Sequence, residues 1–141
     1  EVLGSVVRLL RPDAQMKNAK IETHFQKRLP AVKIDVSQFN LALSNLIINS
    51  IQAVSEKGVI HLFTRGSKRN VFVVVKDNGA GISKENLPRI FDFMFSTKPM
   101  GSGLGLSITK KIISDHHGEI SVKSEVNRGS TFRIRIPLTP K

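Results

Sequence analysis

The chain has 141 residues, 40% of them hydrophobic, no cysteine and a formal net charge of +11. That length and apolar share fit one domain with its own core. The absence of cysteine excludes disulfides and thiolate metal sites, and no run reaches the roughly 18 to 20 apolar residues of a membrane span. The basic excess admits nucleic acid, an anionic membrane or an acidic protein as partner. Its lysines and arginines are scattered, however, and no aromatic residues interleave with them, which argues against nucleic acid as the main partner. No signal-peptide pattern opens the chain; a cytoplasmic domain without membrane contact of its own is expected, with membrane anchoring of the full-length protein left open. It begins at Glu1 in mid-pattern without an initiator Met and reads as a fragment of something longer.

Val2, Val6, Leu9 and Leu10 recur at helical spacing, and the pattern predicts a helix that stops at Arg11-Pro12. Ile21–Phe25 alternates as a strand, and Ala31–Ile34 is a second short strand candidate. Asp35 is placed to cap the next helix, with Gln38 in the reciprocal capping-box position, and that helix is expected to run to about Val54. Lys57-Gly58 ends it. Strand Val59–Thr64, a turn at Arg65–Asn70 and the apolar run Val71–Lys76, suited to a central strand, follow. The pattern then breaks for about thirty residues, with only Lys84–Ile90 briefly helical; structureless stretches of that length are usually functional, often lids. An amphipathic helix resumes at Leu104 and ends near His117-Gly118. Strands Glu119–Ser124 and Ser130–Leu138 close the chain around a turn at Val126–Gly129. Helices alternating with such strands predict an α/β fold: a two-layer α/β sandwich, one face of the sheet covered by helices.

The central helix carries an amide stripe. At about 100° per residue, Asn45, Asn49 and Gln52 fall within roughly 60° of one another. Phe39, Leu43, Leu46, Ile47, Ile51 and Val54 cover the opposite side, and Leu41 and Ile48 flank the amides. A buried amide without a partner costs a few kcal/mol, so the stripe either caps neighbouring backbone groups or meets a ligand. An amide oxygen is a hard ligand that suits Mg²⁺.

Two glycine segments indicate what the ligand is. Asp77-Asn78-Gly79-Ala80-Gly81 ends a strand, where a carboxylate can accept from the exocyclic amine of adenine and glycines admit a flat base. A tight turn into an N-cap at Ser83 explains the same residues. Gly101-Ser102-Gly103-Leu104-Gly105 opens into a helix, whose free N–H groups and positive dipole end suit phosphate. Neither a Walker A loop nor a dinucleotide fingerprint is present.

Taken together, these segments resemble the ATP-binding catalytic domain of sensor histidine kinases, within the superfamily that also holds gyrase and mismatch-repair ATPases. Asn45-Leu46-Ile47-Ile48-Asn49-Ser50 resembles the family's N box, and Asp77-Asn78-Gly79-Ala80-Gly81-Ile82 its first glycine box. Ile90-Phe91-Asp92-Phe93-Met94-Phe95-Ser96-Thr97-Lys98 is similar to its F box, and Gly101 to Ile108 to its second glycine box. Gly129-Ser130-Thr131-Phe132 fits before the last strand. The boxes occur in family order over nearly the whole chain, residues 1–141, with the lid at approximately 82–100.

The resemblance implies a mixed sheet in a Bergerat-type ATP-binding fold, with ATP and Mg²⁺ as ligands. It implies that Asn49 holds the metal and that Asn45 faces phosphates and metal. Asp77 would read adenine, with Gly79, Gly81 and Ile82 shaping the pocket. Gly101, Ser102, Gly103, Leu104, Gly105 and Leu106 would border the phosphates, Lys98 would reach the outer phosphate, and Thr131 would lie near adenine. Gln52 and Ala53 stand where the family often carries Lys and an aromatic, and Phe93 and Met94 where Pro and Phe are frequent.

The ATPase branches place Glu where Asn45 stands, and Asn has no useful basicity for activating water. Phosphoryl transfer to another nucleophile depends mainly on positioning and charge stabilisation, so a kinase is expected. The implied partners are the dimerisation and phosphoacceptor domain of the same protein and an acidic response regulator. A serine kinase or ATPase of the same fold, or a nucleotide-sensing domain without turnover, are the alternatives. None of the four histidines stands in the context that the family phosphorylates, so the acceptor is expected upstream of Glu1. Phe91, Phe93 and Phe95 are expected to dock the lid on the domain or on the acceptor-bearing helices.

Overall fold

In a computed structural model of the chain, residues 1–96 and 105–138 are described. Three helices, α1 (Val2–Met16), α2 (Val36–Ala53) and α3 (Gly105–Asp115), lie on one face of a five-stranded sheet. The strands are β1 (Lys20–Phe25), β2 (Val59–Gly66), β3 (Asn70–Asp77), β4 (Glu119–Glu125) and β5 (Gly129–Pro137), in the order β1-β2-β3-β5-β4. The β1–β2 pair is parallel and the others antiparallel, so the sheet is mixed, and the apolar run read as a central strand does occupy the middle. Ile21, Ile60, Leu62, Val75, Phe132 and Ile134 point from the sheet towards the helices. There they meet Leu10, Leu43, Leu46, Ile47 and Ile113 in one core.

Helix α1 does not stop at Pro12; it runs through it to Met16. Pro12 is exposed, and Ala14, one turn beyond Leu10, is buried. Docking of the Leu10–Ala14 face against the core offsets the hydrogen bond that proline removes. Ala31–Ile34 is not a strand. Val32 and Ile34 alternate inward against the core, but no neighbour offers them a ladder. Alternation marks one buried face, and a loop crossing the core has one too. The Lys84–Ile90 region is a turn followed by a short 3₁₀ segment, Leu87–Arg89, rather than a helix.

Asp35 caps α2 as expected, accepting from Gln38 N at 3.0 Å. The reciprocal arm is not Gln38. The Asp35 backbone N–H donates instead to Nε2 of His116 (3.0 Å), whose Nδ1 lies 2.8 Å from the Ile112 carbonyl. That pair of partners demands the Nδ1–H tautomer and ties the end of α3 to the start of α2. His117 takes the left-handed position that ends α3 (φ 63°), and Gly118 N returns to Ile113 O at 2.9 Å.

Candidate functional site

Helix α2 is the spine of the site. Its apolar arc is buried as the periodicity requires, while Asn45 and Asn49 are half-buried and Leu41 and Ile48 face outward. One residue of the buried arc is polar: Ser50, 0% exposed. A buried hydroxyl needs a partner, and Ser50 Oγ donates to Asp77 Oδ2 at 3.0 Å.

Asp77 ends β3 and is itself only 4% exposed. Its other oxygen accepts from Gly79 N at 2.9 Å and from Ser130 N, at the start of β5, at 3.3 Å. Among the described residues no Lys or Arg pairs with this carboxylate. Three neutral donors from α2, the glycine turn and β5 therefore hold one buried acid in a fixed orientation.

The turn after Asp77 is pinned from two sides. Ala80 N donates to Ala53 O at the end of α2 (3.0 Å), and Asn127 N to Ala80 O (2.7 Å). A Cβ on Gly79 would sit 2.5 Å from Ala53 O, and Gly81 has φ +76° with its open side against Glu125 O, so both positions demand glycine. Ile82 N donates to Ser124 Oγ at 2.7 Å, and the Ile82 side chain packs on the core. The end of α2 is held in turn by Lys17, whose Nζ donates to Ile51 O (2.9 Å) and Val54 O (2.8 Å).

In its middle α2 meets the start of α3. Asn45 Nδ2 donates to Gly105 O at 3.2 Å, and a Cβ added at Gly105 would meet the Asn45 side chain at 3.6 Å. Thr109, fully buried, donates to the same Gly105 carbonyl at 2.7 Å. Leu106 packs against the core. The N-box helix is thus joined to both glycine segments, through Ser50 to the first and through Asn45 to the second.

Lys98, Gly101, Ser102, Gly103 and Leu104 lie outside the described residues, as does the last part of the expected lid. Of the three phenylalanines, Phe91 packs edge-on to Phe132 (6.4 Å) and Phe95 lies under Arg89 (4.8 Å), while Phe93 is 76% exposed beside the exposed Met94. Thr131 is not brought to Asp77. In β5, Ser130, Phe132 and Ile134 are buried on the helix side, which puts Thr131 and Arg133 on the open face.

Sequence reasoning missed Ser50, Ser130 and Lys17. Ser50 had a readable signal, because at about 100° per residue it falls between Phe39 and Leu43 in the middle of the apolar arc. Ser130 shares the even-numbered alternation of Phe132, Ile134 and Ile136, so its position was legible too. Lys17 had none, because its partners are backbone carbonyls of another helix.

A profile of the family described as histidine kinase-, DNA gyrase B-, and HSP90-like ATPase matches residues 34–140. Sporulation kinase C of Bacillus subtilis (strain 168) is 34% identical over 98% of this chain and 32% of its own length. Sensor histidine kinase ZraS of Escherichia coli (strain K12) is 34% identical over 97% of this chain and 30% of its own. The chain therefore spans about a third of these curated relatives. Among solved structures, the nucleotide-free catalytic domain of histidine kinase ThkA superposes with a TM-score of 0.89 at 33% identity, covering 99% of this chain and 93% of that one. Full-length ShkA in complex with AMPPNP gives 0.88 at 26% identity, covering 99% of this chain and 30% of that one.

Proposed function

Because the chain belongs to the histidine kinase-, DNA gyrase B-, and HSP90-like ATPase family and resembles histidine-kinase catalytic domains over nearly its whole length, we propose that it binds Mg-ATP and donates the γ-phosphoryl group to a histidine on the dimerisation domain of the same protein. The observation that carries this reading is the buried Asp77 carboxylate, held by Ser50, Gly79 and Ser130 with no Lys or Arg paired to it among the described residues. An ionised carboxylate offers about four lone-pair sites, so three donors leave it an acceptor for an exocyclic amine. Adenine has that amine and guanine has a carbonyl in its place. The AMPPNP in the ShkA structure supports an adenine nucleotide as ligand.

The donor set fits the rest of the ligand. Asn45 commits its amide nitrogen to Gly105 O, and amide oxygens such as those of Asn45 and Asn49 are the hard neutral ligands that Mg²⁺ accepts. Asn49 would hold the ion and Asn45 would face the phosphates. Gly105, at the start of α3, would border them at the positive end of that helix, together with Lys98, Gly101, Ser102, Gly103, Leu104 and Leu106. Bound Mg²⁺ supplies charge neutralisation as the phosphoryl group moves. With Asn45 unable to act as a base for water, the nucleophile must be competent by itself. An imidazole nitrogen is: its lone pair forms the new N–P bond as the bond to the β,γ-bridging oxygen breaks, and ADP takes that electron pair. The exposed Phe93 and Met94 are where acceptor-bearing helices would dock. An acidic response regulator would receive the phosphoryl group next, drawn by the +11 charge.

Calorimetric titration with ATP and GTP, with and without Mg²⁺, tests the reading. Selective, Mg-sensitive ATP binding, followed by transfer to a supplied dimerisation segment, is the expected result. No ATP binding at millimolar concentration, or vigorous hydrolysis by the chain alone, would overturn it.

A further inference from the structure

The open face of the sheet carries a second constellation, at the β1 edge. Glu22 and His24 are two apart on β1 and therefore share a face, and Glu22 stands opposite His61 in the parallel ladder. His24 is opposite Phe63, and its ring stacks on that phenyl ring at 4.7 Å and on the His61 ring at 5.2 Å. His24 Nε2 comes within 3.0 Å of His61 Nδ1, and Glu22 Oε2 lies 3.6 Å from the same Nδ1. All three donor atoms lie within 4.8 Å of one another.

We propose that Glu22, His24 and His61 form a binding site for a borderline divalent transition metal of the Zn²⁺ or Ni²⁺ kind, separate from the nucleotide site on the helix side of the sheet. A tetrahedral ion with bonds near 2.1 Å separates its ligands by roughly 3.4 Å. The 3.0 and 3.6 Å separations straddle that value and all three donor atoms lie within 4.8 Å, so a movement of the exposed Glu22 carboxylate on the order of an ångström closes the set. Two imidazoles and one carboxylate select Zn²⁺, Ni²⁺ or Cu²⁺ over Mg²⁺ or Ca²⁺ and leave a fourth position for water. The backbone ladder fixes where the ligands start, and the Phe63 stack limits the His24 ring. Lys76, opposite His61 on β3 and exposed, opposes a cation. With three solvent-accessible ligands, affinity is expected at about 10 µM rather than in the nanomolar range. The ion would clip the edge strand β1 to β2.

The test is calorimetric titration of the nucleotide-free chain with zinc chloride, repeated on His24→Asn, His61→Asn and His117→Gln. His117 is exposed on the far side of the domain's α3 turn and serves as a control for stray imidazole binding. The expected result is 1:1 saturable binding that weakens at least tenfold in each of the first two variants and stays within twofold in the third. Saturating zinc should also raise the unfolding midpoint of the unaltered chain by a few degrees, and that of His24→Asn by none. Because β1 is an edge strand, His24→Asn carries the test if His61→Asn folds poorly. A zinc dissociation constant of about 1 mM or weaker, or less than a tenfold loss in His24→Asn, would overturn the proposal.

Discussion

Near its C-terminal end α2 meets the Asp77 turn through Ser50 in a fully buried contact, and the acid it touches is held by two further backbone donors. Five residues earlier on the same helix, Asn45 meets the start of α3 through one 3.2 Å bond in a half-buried setting. The Asp77 end is anchored to the central strand and to β5, so its geometry follows from the sheet. The Asn45 contact joins helix to helix, and the sheet does not fix it. A carboxylate that must discriminate one base from another gains from being immobile, because discrimination rests on donors and acceptors that cannot turn away. A phosphate end that must admit a metal and release a product gains from fewer constraints. The asymmetry along α2 is what the proposed base pocket beside the proposed phosphate site would require.

The largest test of that contrast is Asp77→Asn. The amide presents a donor to a site built from donors, so stability should fall by about 1 to 3 kcal/mol and ATP affinity by roughly a hundredfold. The preference for ATP over GTP should vanish with it. Urea denaturation and paired ATP and GTP titrations read these effects; an unchanged preference would remove Asp77 from base recognition. Ser50→Ala should come next, costing about 1 to 2 kcal/mol in the same denaturation experiment by depriving a buried carboxylate of one donor. ATP selectivity should survive, since Gly79 and Ser130 still hold the acid. A loss of selectivity equal to that of Asp77→Asn would make Ser50, not the backbone, the orienting group.

On the amide stripe, Asn49→Ala should abolish the gain in ATP affinity that Mg²⁺ brings, a loss of about tenfold. Binding without Mg²⁺ should be unaffected. Equal losses with and without the ion would mean that Asn49 acts on the nucleotide or on the fold and holds no metal.

What could be read beforehand divides along the same line. The helix with its amide stripe, the central strand, the capping by Asp35 and the glycine turn after Asp77 were legible because each is a local pattern: a period, a cap or a turn residue. Where an element ended up depending on something distant, the local pattern misled. Pro12 looked like a stop because nothing nearby shows that Ala14 will be buried. Ala31–Ile34 looked like a strand because alternation reports a buried face and not a ladder. Gln38 looked like the capping-box partner, but the backbone N–H of Asp35 was taken by His116, 81 residues away. The Asp77 end is nevertheless readable from the sequence, since a serine centred in an apolar arc announces a polar group beneath it.

The smallest predicted effect is the sharpest on that last point. Thr131 stands in the motif Gly129-Ser130-Thr131-Phe132, and the resemblance alone put it near adenine. The pleat of β5 puts it on the open face with Arg133, and gives the inward place to Ser130, whose N–H reaches Asp77 and whose hydroxyl lies 2.7 Å from Ser124 Oγ. Thr131→Val should therefore change ATP affinity by less than twofold. Ser130→Val, which forces a branched side chain into a buried position and removes a hydroxyl from Ser124, should weaken binding several-fold. Side by side in the same titration, the two variants separate motif from geometry. A larger loss in Thr131→Val than in Ser130→Val would mean that β5 turns its other face to the ligand, and the account of how Asp77 is held would fall with it.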